Sequence, residues 1–137
     1  MQSLISNRKV QKKESSAKIE CSTRILAKST INDIDLAILL GNLLDNAIEA
    51  TAVLPDHSKK EIRVFVEVTE PQMIVSVTNP VIKDINVNHL KTTKNDSQNH
   101  GYGLLAVRRI ADKYNGTLLL DCQNNTFGAS AVLNQPE

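Results

Sequence analysis

Apolar residues recur with two different periods along this chain, and the changes of period mark its elements. From Ala17 to Ile25, Ile19, Cys21, Thr23 and Ile25 alternate with Lys18, Glu20, Ser22 and Arg24, the period-two pattern of a half-buried strand. The period then changes: Leu36, Ala37, Leu40, Leu43, Leu44, Ala47 and Ile48 gather on one broad side of a helix. Asn32 or Asp33 can cap this helix, which is predicted to run from about Ile34 to Leu54, with Pro55 beyond its end. Alternation returns in "EIRVFVEV", 61–68, and in "MIVSVTN", 73–79. A turn at Glu70 and Pro71 joins the two strands into an antiparallel hairpin.

Residues 81–100 carry no sustained period apart from a short turn near Val87 to Lys91. Connections of this length inside a compact domain are uncommon and are usually lids, binding loops or disordered segments. "GYGLLAVRRIADKYNG" restores a helical stripe, with Leu104, Val107 and Ala111 beside Leu105, Ile110 and Tyr114, and Gly116 is expected as the C-cap. "TLLLDC" and "FGASAVL" supply two closing strands. This order predicts an α+β domain, a two-layer α/β sandwich with helices on one face of a mixed, mostly antiparallel sheet.

Bulk properties narrow the function. A chain of 137 residues, 41% hydrophobic, is expected to form one domain around one core. Sixteen Lys and Arg against 15 Asp and Glu leave no basic excess for a phosphate backbone, and two Tyr, two Phe and no Trp offer few stacking platforms. No nucleic-acid partner is expected. Cys21 and Cys122 stand far apart with no second pair, which fits neither a disulfide scaffold nor a CxxC metal site. Both are read as reduced thiols in a cytoplasmic setting. No stretch reaches the roughly 20 apolar residues of a membrane span, and the N-terminus lacks the apolar centre of a signal peptide, so the chain is read as soluble. Residues 1–14 are polar except for Leu4, Ile5 and Val10 and look like the end of a longer helix.

Opposite the apolar side of the first helix lie Asp35, Asn42, Asn46 and Glu49. A solvated face explains polarity, but it does not explain asparagine, a poor helix former whose amide competes for backbone hydrogen bonds. An amide carbonyl is a neutral oxygen ligand, suited to a hard cation such as Mg²⁺ when a bound triphosphate supplies the negative charge. Gly101 and Gly103 lie where the polar loop enters the second helix, with Lys91 and Lys94 before them. Glycine there lets the backbone approach a ligand, and exposed N–H groups with the helix dipole favour phosphate. A GxG deserves little weight by itself, and the chain has neither a GxxxxGK[ST] P-loop nor a GxGxxG after a strand. His57, His89 and His100 lack metal-ligand spacing and are read as solvated, and no nucleophile with its base is visible.

In that order, "LLGNLLDNAIEA", the long lid, "HGYGLLAVRRIADKYNG" and "TFGASAVL" resemble the asparagine box and the second and third glycine-rich boxes of the histidine-kinase-type ATP-binding domain. This is the GHKL or Bergerat superfamily of sensor histidine kinases, gyrase-type topoisomerases, Hsp90 and MutL. The resemblance spans about residues 17–134, and its wording looks most like sensor kinases of the accessory-gene-regulator and citrate-sensing branches. It implies a Bergerat fold with an ATP lid, a stub of a connecting or dimerisation helix at 1–16 and a catalytic ATP-binding domain at 17–137. By the resemblance, Asn46 is the Mg²⁺ ligand, Asn42 lies near the phosphates, Gly101, Tyr102, Gly103 and Leu104 wrap the triphosphate, and Lys94 contacts phosphate. Glu49 and Asn79 complete the cofactor-facing set with two departures. Asn79 stands where most members carry an aspartate that accepts from the adenine amino group; its carbonyl can still accept. Glu49 stands where many carry Lys or Arg.

ATP-hydrolysing members place a glutamate one turn before the Mg²⁺ asparagine, whereas this chain has Asn42, and an amide cannot take a proton from water. A histidine imidazole needs chiefly positioning and charge neutralisation. The resemblance therefore implies an ATP-dependent protein histidine kinase that transfers the γ-phosphoryl to a histidine. No helix with a histidine occurs in residues 1–16, so the acceptor is expected on a dimerisation domain outside this sequence, and the domain by itself should be nearly inactive. A response regulator and a membrane-bound homodimeric parent are the further partners implied. The rivals are an anti-sigma-type serine kinase, a non-catalytic GHKL-fold interaction module and, disfavoured by Asn42, an ATPase clamp.

Overall fold

The computed structural model of the protein describes residues 17–87 and 101–136, with only the backbone at 101 and 102. Residues 1–16, His89, Lys91, Lys94 and His100 lie outside the described residues. Seven elements follow in order: β1 (Lys18–Ile25), α1 (Asp33–Ala52), β2 (Glu61–Val68), β3 (Gln72–Pro80), α2 (Gly101–Lys113), β4 (Thr117–Gln123) and β5 (Thr126–Asn134). They build an α+β two-layer sandwich whose five-stranded sheet runs β1-β2-β3-β5-β4. Only β1 and β2 pair in parallel; the remaining pairs are antiparallel. A parallel pair needs a crossover, and α1 provides it between those two strands.

Strand alternation puts one face of the sheet under the helices. Ile62, Val64, Val66 and Val68 of β2, Met73, Val75 and Val77 of β3, and Ala129, Ala131 and Leu133 of β5 are buried there. Asn79 takes the last inward position of β3, where this pattern calls for an apolar side chain. Among the described residues the buried polar side chains are Thr51 and Asn79. Thr51 Oγ1 donates to the Ile48 carbonyl at 3.0 Å, so its burial is compensated.

The expected cap of α1 is Asn32, whose Oδ1 accepts from the Ile34 and Asp35 amides at 2.8 and 3.2 Å. Its apolar face buries Leu40, Leu43, Leu44, Ala47 and Ile48 as expected and differs from the expectation at two positions. Leu39 is fully buried, while Ala37, expected on the sheet side, is exposed. The reason is that α1 is covered from two directions, by the sheet and by α2. The end of α2 also differs. Asn115, at φ 55°, is the left-handed residue, and Gly116 is not. The Gly116 amide donates to the Ala111 carbonyl at 2.8 Å and the Asn115 amide to that of Asp112 at 3.0 Å, a Schellman ending with asparagine in the left-handed place. Gly116 is glycine for a packing reason: a Cβ there would stand 1.7 Å from the Val132 carbonyl oxygen.

Candidate functional site

The two helices lie antiparallel, and both ends of the seam between them are polar. At one end Asp35 Oδ2 accepts from Lys113 Nζ at 2.8 Å and from the Tyr114 hydroxyl at 2.6 Å, and that hydroxyl accepts from the Asn32 amide at 3.2 Å. Hydrogen bonds from Lys113 and Tyr114 hold the Asp35 carboxyl below the ordinary aspartate range. Burial, and then the bond to Asp35, raises the Tyr114 hydroxyl.

At the other end Asn42 and Asn46 face the start of α2. A Cβ at Gly103 would stand 3.5 Å from Asn42 Oδ1 and 3.6 Å from Asn46 Oδ1, ordinary contact distances. Glycine is therefore not demanded by crowding within the protein; its absent side chain leaves space beside the two amide oxygens. Asn42 Nδ2 donates back to the Ile38 carbonyl at 2.8 Å, the local bond expected of asparagine within a helix, which leaves Oδ1 as its outward group. The Asn46 amide is partly buried and has no hydrogen-bond partner among the described residues.

Asn46 opens onto a cleft of about 130 Å³. Asn46 and Ala50 of α1 line one wall, Leu104 of α2 another, and Asn79, Val81, Ile85 and Phe127 complete it. Asn79 is 3% exposed. Its Nδ2 donates to the Pro80 carbonyl at 3.0 Å, which fixes the orientation of the amide, since the reversed amide would set two carbonyl oxygens against each other. No group among the described residues donates to its Oδ1. A buried acceptor without a donor costs about 1–3 kcal/mol, so an N–H or O–H brought by a ligand or by water would be favourable at this atom. The apolar walls and the buried Asn79 acceptor suit a flat heterocycle bearing an amino group.

The fold thus brings Asn46, Asn79 and Leu104 to one cleft, with Asn42 and Gly103 beside it. Glu49 is exposed on α1 and does not line the cleft. Lys94 and the side chain of Tyr102 lie outside the described residues, and Gly101 begins α2. Sequence reasoning missed Ala50, Val81, Ile85 and Phe127. Ala50 was findable, one turn beyond Asn46 on the same side of α1. Phe127 reaches the cleft through its register opposite Asn79, which no local pattern discloses.

As for a metal, the described residues include no group of three His, Cys, Asp or Glu side chains able to hold one. The oxygens of Asn42 and Asn46 are neutral. They fit a hard cation that arrives with anionic ligands of its own, such as the oxygens of a nucleotide. Among the described residues no helix is long and apolar enough to cross a membrane.

A family model described as GHKL domain matches residues 31–134. No curated protein matches the chain. Among solved structures the chain is similar to a nucleotide-free catalytic domain of histidine kinase ThkA, with a TM-score of 0.70 at 20% identity over 96% of this chain and 86% of that one. A second nucleotide-free form of that domain matches at 0.70 and 19% identity, over 96% and 88%. Histidine kinase AdeS of Acinetobacter baumannii matches at 0.63 and 16%, over 99% of this chain and 65% of that one. Identities this low speak for the fold, and the fold is that of histidine kinase catalytic domains. The family model covers most of the length, and the chain belongs to the GHKL domain family.

Proposed function

We propose that the protein binds MgATP in this cleft and transfers the γ-phosphoryl to a histidine on a dimerisation domain, as the catalytic domain of a two-component sensor kinase. The observation that carries the reading is the convergence on one cleft of two amide oxygens with no donor among the described residues, the Asn79 acceptor at its buried end and Asn46 at its mouth. Asn79 Oδ1 accepts from the adenine amino group while Val81, Ile85 and Phe127 enclose the ring. Asn46 Oδ1 ligates Mg²⁺, and Asn42 with the Gly101–Leu104 turn faces the phosphates. Bound Mg²⁺ neutralises charge on the phosphate oxygens. Lys94 adds a phosphate contact, a role that rests on its place in the sequence.

Asn42 sits where hydrolysis would need a base, and its amide nitrogen is already committed to the Ile38 carbonyl. An amide takes no proton, so water is not activated there, and an imidazole nucleophile needs no such help. The domain by itself is then a nucleotide-binding protein with little turnover, completed by its dimerisation domain and read out by a response regulator. Residues 1–16 are the stub that connects to that domain, and the parent is a membrane-bound homodimer with this domain in the cytoplasm.

Calorimetry with a non-hydrolysable ATP analogue, with and without magnesium, tests the reading. Binding should strengthen with magnesium, and Asn46→Ala should remove that dependence. An unchanged melting temperature with and without MgATP would sink the proposal. An acid-labile, base-stable phosphoryl product separates the histidine kinase from a serine kinase.

A further inference from the structure

The chain leaves the sheet after Pro80, so the segment that carries Val81 and Ile85 into the cleft has no strand partner. It is held instead against the tight turn between β4 and β5. There Asn124 and Asn125 both take positive φ, 55° and 58°, as a two-residue type I′ hairpin requires. The Val81 amide donates to the Asn125 carbonyl at 2.9 Å, and the Asn125 amide donates to Asp84 Oδ1 at 2.7 Å. The left-handed backbone of Asn125 thereby presents both of its polar groups to the segment. The Ile85 amide donates to Cys122 Sγ at 3.4 Å, and that thiol lies 3.8 Å from Asp84 Oδ1. Two residues past Asn125, Phe127 forms the facing part of the wall.

We infer that Asp84 is a latch that sets the gap between Ile85 and Phe127 and thereby makes the cleft select a base with an amino group at Asn79, an inference that rests on the nucleotide reading above. Asn79 Oδ1 discriminates an amino from a carbonyl substituent only if the ring is held in one place. Ile85 is 41% exposed and has little packing of its own to hold it. The Asp84 bond is charge-assisted and, at 2.7 Å, short, and it ties the segment to the β4–β5 turn. Asp84 is a positioning residue and does not touch the base.

The test compares the wild-type chain with Asp84→Ala and Asp84→Asn. It measures amide exchange at Asn125 without ligand, melting temperature, and calorimetric Kd for MgATP and MgGTP. For Asp84→Ala, Asn125 exchange should accelerate, melting should stay within about 3 °C, MgATP should bind about tenfold more weakly, and the preference for ATP over GTP should shrink. Asp84→Asn keeps an acceptor and should recover most of that preference. Unchanged Asn125 exchange in Asp84→Ala overturns the latch whether or not nucleotide binds. An unchanged ATP-to-GTP ratio overturns it too, and so does a collapse in melting, which would assign Asp84 to the fold instead of the cleft. A wild-type chain that binds no MgATP refutes the nucleotide reading instead, and the exchange measurement still decides the latch.

Discussion

The two ends of the α1–α2 seam are built from similar polar material and have opposite economies. At the Asp35 end the polar groups satisfy one another: carboxylate, ammonium, phenol and the Asn32 amide close a network across the two helices. At the Asn46 end, 11 residues along α1, a partly buried amide has no partner among the described residues, and glycine across the seam leaves space beside it. Satisfied polar groups fasten the helices together, whereas unsatisfied ones wait for a ligand. The contrast teaches that one end of the seam closes its polar groups on one another, while the other turns the amide oxygens of Asn42 and Asn46 toward the start of α2.

The largest effect should come from the fastened end. Tyr114→Ala removes a buried ring as well as its hydroxyl and should destabilise by about 3–5 kcal/mol in chemical denaturation. Asp35→Ala strips the network and a first-turn carboxylate, and about 2 kcal/mol should be lost. At the open end the sign reverses. Asn79→Leu replaces an unsatisfied acceptor with an apolar side chain, so the unliganded protein should gain about 1 kcal/mol while nucleotide binding is lost. Asn46→Ala should shift stability by no more than about 0.5 kcal/mol, toward greater stability because alanine is the better helix former, while magnesium-dependent binding disappears. A stability loss in Asn46→Ala as large as that in Asp35→Ala would erase the comparison.

The smallest effect is the pH dependence of the fastened end. Asp35 lies below its ordinary value of 3.8 because Lys113 and Tyr114 donate to the carboxylate. The folded state thus binds this proton less readily than the unfolded chain. Stability from the carboxylate is complete above the unfolded value and is lost as pH falls through the lowered one. Acid titration of Asp35→Asn should show a shallower loss in that window than the parent. Lys113 is raised above 10.5, first by its hydrogen bond to Asp35. Its contribution is complete below that value and is lost as pH rises beyond it.

Much of the frame was legible because it is written in local terms. The alternation of β2 over 61–68 and the Asn32 cap of α1 require only near neighbours, and they stand where the periodicity placed them. The asparagine pair was legible as an anomaly, since helix propensity disfavours it without a reason. The face of α1 was misjudged at Leu39 and Ala37 because amphipathicity assumes one covering surface, and α1 has two. Gly116 was misread because a glycine after a helix ordinarily supplies the left-handed residue, whereas here Asn115 supplies it and Gly116 makes room for the Val132 carbonyl.

By itself the sequence determined the kinds and order of the elements, the antiparallel hairpin of β2 and β3 and the polar stripe that set α1 apart, since each depends on periods and caps within a few residues. Only the tertiary structure decided that Asn79 is buried, that Phe127 stands opposite it on the neighbouring strand, and that Asp84 ties the segment after Pro80 to a distant turn. Those facts depend on strand register and on contacts between residues some 40 positions apart, such as Asp84 with Asn125. No local pattern encodes which backbone groups will meet once the chain has closed on itself.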